Sequence, residues 1–353
     1  MSVDSEKPSD QELYEVVLSF VKDNVEFLDE RHYHLIAVWA LATYRTHQWL
    51  GIPYLHLHAP SESGKTRVLE ILRLLCRNAV PSDAMTPANI FRLVTHQDPT
   101  LLIDETDMES NEFSNLMVKV LNSGYVRGKF IFRVEKGENG KLVEEQFKTF
   151  GFKAIAGLDQ LAQTLASRCI KISMVRNTMS KPVFAPQELP PQLKEMLSKY
   201  EEKYAHRINP ANKHFINGVV EVEPMPPLTN RTIQLFYSLL HVAHDCSVEA
   251  YEAIYSLAKD RSTAITDEDR ETVEAYVFRA YLTVKMNRPQ VPVKEITEQL
   301  NKDMDLTDPR NLYKPKTVSS VMSRLGFKRY RKENERGFIA DVELEKNLII
   351  RYG

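Results

Sequence analysis

The chain is short of cysteine, of glycine and of long apolar runs. Its three cysteines, Cys76, Cys169 and Cys246, stand far apart in apolar surroundings. They form neither zinc-ligand spacing nor a disulfide framework, so three buried thiols in a reducing compartment are expected. No run of about 18 apolar residues occurs, which excludes a membrane-spanning helix. The opening MSVDSEKPSDQE is polar and has no signal core, and together these absences lead us to expect a cytoplasmic protein without a membrane partner. Net charge is nearly absent too: the formal value is −2, so the total does not advertise a nucleic-acid binder. No internal repeat and no long low-complexity tract is present. What remains is ordinary soluble composition, 43% hydrophobic and 27% charged over 353 residues, enough for two or three domains.

Against that background the periodicity is informative. Leu13, Val16, Val17, Phe20, Val21 and Val25 recur at helical spacing and predict a helix over about 11–28; an apolar helix follows over about 32–48. A strand over Pro53–His58 leads to a helix from Lys65 to about Cys76. Thr86 with Pro87 reads as a helix start. Leu101–Ile103 is a continuous apolar run before Asp104, as in a buried parallel strand. A helix near 112–122 comes next. Phe130–Val134 and Leu142–Phe147 then flank EKGENGK as a β-hairpin. Lys153–Ala156 and Cys169–Met174 add two strands. Strands alternating with helices predict an α/β fold with a mostly parallel sheet. Residues 177–191 read as a proline-rich linker and EPMPPLT (223–229) as a second break, with helices over about 229–259 and 267–286. In the tail, VPVKEITEQLN and KPKTVSSVMSRLGF read as helices. KRYRKENERGFIADV reads as two strands around a turn at Asn334–Gly337.

LHAPSESGKTRVLEIL, residues 57–72, carries chemistry. A phosphate loop needs a strand, a tight turn of backbone N–H groups and a helix whose N-terminus faces the anion, written G-x-x-x-x-G-K-[ST]. Gly64, Lys65 and Thr66 match, and Ala59 stands where the first glycine belongs. Backbone N–H groups of Ser61, Glu62, Ser63, Gly64, Lys65 and Thr66 would hold the phosphates. Lys65 would neutralise the β/γ oxygens, and the Thr66 hydroxyl would ligate Mg²⁺. The plain alternative is a serine-rich surface turn. TLLIDETD, about 40 residues on, tips the balance: Asp104 ends an apolar strand where it can hold Mg²⁺, and Glu105 can polarise an attacking water. ATP and Mg²⁺ are therefore the expected cofactors. His56 and His58 alternate on a strand and read as structural. His206, His214, His241 and His244 lack partners at metal spacing.

Five stretches, PYLHLHAPSESGKTRVLEIL, NIFRLVTHQDPTLLIDETD, LNSGYVRG, FKTFGFKAIAGLDQLAQTLASRCIKISM and LTNRTIQLFYSLLHVAHDCS, together resemble a known family. It comprises P-loop ATPases of phage, plasmid and genomic-island replication modules, described as a domain of unknown function. That family is similar in turn to AAA+ proteins, especially minichromosome-maintenance and mobile-element replicative helicases. The resemblance covers about residues 30–260 and implies an AAA+-like core working as a ring, a hexamer by analogy. It implies that Arg168, in LASRCIKI, is a finger arginine reaching the neighbouring subunit's nucleotide. Arg231, in LTNRTIQLF, matches the lid arginine that senses the γ-phosphate. The polar residue that usually ends the fourth strand is less clear, with Asp159, Gln160 and Asn122 as candidates beside Gly157. The implied domains are an N-terminal helical segment (1–50), a P-loop ATPase core (51–176), a linker and helical lid (177–286) and a C-terminal winged helix (287–353).

Nucleic acid has two candidate surfaces. The hairpin at 130–147 would carry Lys136 and Lys141 at its tip, with Arg127, Lys129 and Arg133 nearby, diluted by several glutamates. In the tail, residues 314–336 hold eight basic side chains against Glu333 and Glu335. Lys314, Lys316 and Arg324 would lie on a recognition helix, and Arg329, Arg331, Lys332 and Arg336 on the wing. The leading expectation is a DNA-translocating motor, a replicative helicase or helicase loader of a mobile genetic element. A nucleotide-gated regulatory or defence ATPase whose winged helix docks a protein stays open beside it. So does a DNA-binding protein with a vestigial phosphate loop.

Overall fold

The computed structural model describes residues 9–60, 62–86, 90–96, 98–104, 111–136, 142–157, 161–176, 181–182, 184–205, 228–308, 310–332 and 335–352. The chain divides into two compact units, Met1–Lys259 and Asp260–Gly353. The fold is α/β, with a five-stranded parallel sheet in the first unit.

Two helices precede the sheet. Helix α1 (Asp10–Asn24) starts on a reciprocal cap: the Ser9 hydroxyl accepts from the Glu12 N–H while the Glu12 carboxylate accepts from the Ser9 N–H. It buries Leu13, Tyr14, Val17 and Val21 and stops at Asn24, short of the expected 28, because Val25 turns extended. Helix α2 (Arg31–Thr43) is buried almost all round. The Thr43 and Thr46 hydroxyls donate to the carbonyls of Ala40 and Thr43, ending the regular helix before the expected 48 and leaving one 3₁₀ turn, Thr46–Gln48.

The sheet is built from β1 (Tyr54–His58), β2 (Ala79–Pro81), β3 (Thr100–Asp104), β6 (Lys153–Gly157) and β7 (Cys169–Ser173) in the order β2-β3-β6-β1-β7, all parallel. The chain runs from β1 through α3 (Lys65–Leu75) to the far edge and returns from β3 through α5 (Asn111–Ser123) toward β6. Right-handed crossovers in opposite directions put α3 and α5 on opposite faces. The side chains agree. Tyr54 Oη donates to the Leu121 carbonyl of α5, whereas Thr66 of α3 meets Asp104 on the other face. The remaining elements of this unit are α4 (Ile90–His96), the hairpin β4 (Phe130–Lys136) and β5 (Leu142–Lys148), α6 (Gln163–Ala166), α7 (Pro191–Tyr204), α8 (Asn230–Cys246) and the first part of α9 (Val248–Arg270), which continues into the second unit. The expected break near 260 is absent, since α9 runs through it. The chain breaks instead at Ser247, whose Oγ accepts from the Ala250 N–H, and at Thr272, which caps the next helix.

In the second unit, α10 (Val273–Lys285), β8 (Gln290–Pro292), α11 (Val293–Asp303), α12 (Pro315–Arg324), β9 (Arg329–Lys332), β10 (Glu335–Ile339) and α13 (Val342–Tyr352) follow in order. They surround a separate core that includes Phe278, Tyr281, Val291, Ile296, Val321, Phe327 and Phe338. The three strands pair antiparallel in the order β8-β10-β9. Gly337 lies inside β10 rather than in the expected turn. A Cβ there would sit 2.1 Å from the Val291 carbonyl oxygen, so the close strand approach, not a bend, requires the glycine.

Cys76, Cys169 and Cys246 are free and buried. Among the described residues, no helix is long and apolar enough to cross a membrane, and no cluster of three or more His, Cys, Asp or Glu is arranged to hold a metal. The Thr86–Pro87 helix start, the tip of the 130–147 hairpin, His206, His214, most of the 223–229 break and Asn334 fall wholly or partly outside the described residues.

Candidate functional site

Strand β1 lies inside the sheet, between β6 and the edge strand β7, and ligands of open parallel sheets sit beyond the carboxyl ends of such strands. There the chain turns through Glu62, Ser63 and Gly64 into α3. Gly64 caps α3 with φ +82°, a left-handed conformation that suits glycine, and Glu62 has φ +62°. Ala59, in place of the expected first glycine, is buried at the strand end, and its N–H donates to the Gly157 carbonyl at 3.4 Å. Lys65 lies at the first position of α3. Its Nζ donates to the carbonyls of Ala59 at 2.5 Å and Pro60 at 3.0 Å, so the ammonium rests against its own loop. Ser63 is 4% exposed, and its Oγ is buried with no hydrogen-bond partner among the described residues. Glu62 extends outward and its carboxylate pairs with Arg176, just beyond β7.

The Thr66 hydroxyl donates to Asp104 Oδ2 at 3.2 Å, bringing together the start of α3 and the end of β3. The Asp104 N–H donates to Ser82 Oγ at 3.0 Å, which fixes that strand end. Ser82 had no sequence signal, because its link to Asp104 depends on β2 pairing with β3. A hydroxyl and a carboxylate at this separation are hard oxygen donors, the set that suits Mg²⁺. The orphaned Ser63 Oγ is a donor available to an anion in the loop. Ser61 and Glu105 lie outside the described residues, as do Asp159 and Gln160.

His56 and His58 sit side by side on β1, with ring centroids 5.5 Å apart. Burial, then the neighbouring His58 and Lys171, push the His56 pKa down to about 4, so the ring is neutral at physiological pH.

Arg168 and Arg231 are gathered elsewhere. Cys169 is level with Tyr54, the first residue of β1. Arg168 therefore lies at the opposite end of the strands from the loop, about 13 Å away along β1 alone. It donates to Thr164 O and to Asn122 Oδ1, the latter at 3.4 Å. Arg231, in the first turn of α8, donates to the Ser167 carbonyl at 3.2 Å and to Ser167 Oγ at 3.1 Å, and faces the Tyr125 ring at 4.9 Å. Both arginines thus share one edge, away from their own loop. Asn122 is on that edge too, so it cannot position a water at the loop of its own chain.

The basic candidates divide by what they touch. Arg127 donates to the carbonyls of Trp49 at 2.9 Å and Thr46 at 2.6 Å and covers the Phe150 ring, which makes it a fold residue. Arg133 stacks on Phe91 at 4.7 Å. Lys136 ends β4, level with Leu142, and Lys141 lies outside the described residues. In the second unit Arg324 pairs with Glu274 at 2.9 Å. Arg329 donates to Ser323 Oγ at 2.7 Å, tying the hairpin to α12. Lys314, Lys316, Arg331, Lys332 and Arg336 are exposed.

No family model matches the chain, and no curated protein matches it. Solved structures do. The C-terminal region of NrS-1, in its A-form apo structure, is 12% identical with a TM-score of 0.38, over 95% of this chain and 75% of that one. SCCmec type IV Cch, described as an active helicase, is 10% identical at a TM-score of 0.41, over 97% and 73%. A full-length MCM homologue from Methanopyrus kandleri is 12% identical at 0.38, over 71% of this chain and 60% of that one. These likenesses are distant, and the functional reading stands on the residues of the chain.

Proposed function

We propose that the chain is an ATP-hydrolysing motor that moves on DNA, a replicative helicase or helicase loader of a mobile genetic element, assembled as a ring, with six subunits the expected number. The observation that carries the reading is the 3.2 Å meeting of Thr66 Oγ1 and Asp104 Oδ2 beside a glycine-capped loop.

In this reading the loop N–H groups of residues 61–66 and the α3 N-terminus bind the β- and γ-phosphates. Lys65 exchanges the carbonyls of Ala59 and Pro60 for phosphate oxygens. Thr66 and Asp104 would hold Mg²⁺, which would supply neutralisation of the charge developing on the phosphates. Glu105 orients the attacking water. Arg168 cannot reach its own loop, so it serves a neighbour's nucleotide, and Arg231, sharing its edge, acts on that same neighbour. This is why a ring is required.

Residues 51–176 act as the ATPase core and 177–286 as linker and lid. The tail from 287, joined by α10, acts as a winged helix. Lys314 and Lys316 stand exposed at the N-terminal end of α12, where a cation gains nothing from the helix dipole and a phosphate does. With Arg331, Lys332 and the hairpin lysines Lys136 and Lys141 they form the DNA contacts. Six neutralised phosphates would give log K a slope of about −5 against log salt.

The test is the ATPase rate of the full chain with and without single- and double-stranded DNA, read with particle mass in a non-hydrolysable analogue. DNA-stimulated turnover by an oligomer, abolished in Lys65→Ala, is expected. Turnover indifferent to DNA would instead mark a nucleotide-gated regulator whose tail docks a protein. Duplex binding without hydrolysis would mark a vestigial loop.

A further inference from the structure

The phosphate loop carries one acidic residue, and it is oddly placed. Between Ala59 and Thr66 the only carboxylate is Glu62, at the crest of a loop whose task in the reading above is to receive a polyanion. Its backbone is left-handed at φ +62°, which for a residue with a Cβ persists only where the surroundings hold it. Its side chain and that of Arg176 are each about three-quarters exposed, yet they are paired. The pairing is non-local. Met174 donates its N–H to the His58 carbonyl at 3.0 Å, and its Cε would lie 3.6 Å from a Cβ on Gly64. The segment leaving β7 is thereby laid along the loop, and Arg176 reaches the crest from there.

We propose that Arg176 is the counter-charge of the phosphate loop. It cancels the Glu62 carboxylate, which would otherwise repel an incoming nucleoside triphosphate. This rests on the triphosphate reading of the same loop. Arg176 acts through Glu62 and is a positioning residue, not a phosphate ligand. Lys65 cannot substitute for it, because that ammonium is committed to the loop's own carbonyls and then to phosphate.

The experiment is calorimetric titration of Mg·ATP into the full chain for wild type, Arg176→Gln, Glu62→Gln and the double variant, with Lys65→Ala alongside and thermal unfolding as the fold control. Removing Arg176 is expected to weaken binding by about fivefold and removing Glu62 to strengthen it by about the same factor, the size of one exposed charge several ångströms away. The double variant is expected within about twofold of wild type, and all differences shrink as ionic strength rises. Two results overturn the proposal while leaving the loop reading intact. In one, Arg176→Gln binds as wild type does. In the other, the double variant binds as weakly as Arg176→Gln, which would mean that Arg176 touches phosphate directly. A wild type that binds no ATP, with Lys65→Ala no different, overturns the loop reading and this proposal with it.

Discussion

Lys153 begins β6 with its Nζ donating to the carbonyls of Thr149 at 3.0 Å and Gly151 at 2.8 Å and facing the Tyr54 ring at 4.8 Å. It is 1% exposed, and burial pushes its pKa down to about 7. In the unfolded chain the same amine titrates near 10.4. Between those values the unfolded state binds a proton that the folded state lacks, so stability rises with pH from about 7 to about 10. Below pH 7 both states are protonated and the whole burial cost stands. Lys153→Met removes the titration, so its unfolding free energy relative to wild type should fall by on the order of 4 kcal/mol as pH goes from about 6.5 to 10. Denaturant melts across that range check this, and a difference constant with pH would count against it. Nothing in KAIAG flagged this lysine, because a lysine before an apolar run looks like any strand end. Lys65, Thr66 and Asp104 could be singled out in advance, because a short loop motif and an apolar strand ending in an acid are local patterns. Arg176 was not, since only the pairing of β7 with β1 brings it to the loop.

Elements were legible where their pattern is long. The core strands and the helices α3 and α5 stand within a residue or two of expectation, since apolar runs and 3.6-residue spacing are strong signals. Three-residue strands such as β2 and β8 were missed, because their strand character comes from the partner. Helix α8 shows how one element seats another. Tyr237 Oη accepts the N–H groups of Leu50 at 2.5 Å and Gly51 at 3.1 Å, so a side chain on α8 completes the backbone leading into β1. Tyr237→Phe leaves those two donors without their acceptor and should cost about 1–3 kcal/mol. A lowered thermal midpoint with unchanged oligomeric mass is the expected outcome, and a melt like wild type would show that water replaces the hydroxyl. Gly124 belongs to the same level. A Cβ there would lie 2.2 Å from the Thr149 carbonyl oxygen and 2.5 Å from Lys153 Nζ, so Gly124→Ala should destabilise by forcing α5 off the sheet. Thermal unfolding of that variant, and recovery of soluble protein, check it.

At the scale of the whole molecule, the order β2-β3-β6-β1-β7 was not readable in advance, because strand neighbours are set by pairings between distant segments. That order has a consequence for chemistry. It places the loop at one end of β1 and Arg168 with Arg231 at the other, so in the proposed function one chain would supply two incomplete halves of a site. In the proposed ring a heterologous interface would join the half of one copy to the other half of the next. Lys65→Ala should therefore be inactive alone, and Arg168→Ala should lose about a thousandfold in turnover while still binding ATP. Mixed one to one and reassembled, the two variants should regain activity. A Lys65 from one variant then meets an Arg168 from the other at about one interface in four, so about a quarter of wild-type turnover is expected if sites act independently. ATPase rate against mixing ratio should peak near equal amounts and vanish at both ends. A mixture no more active than its better component would mean that Arg168 serves no neighbour, and the two ends of the strands would need separate explanations.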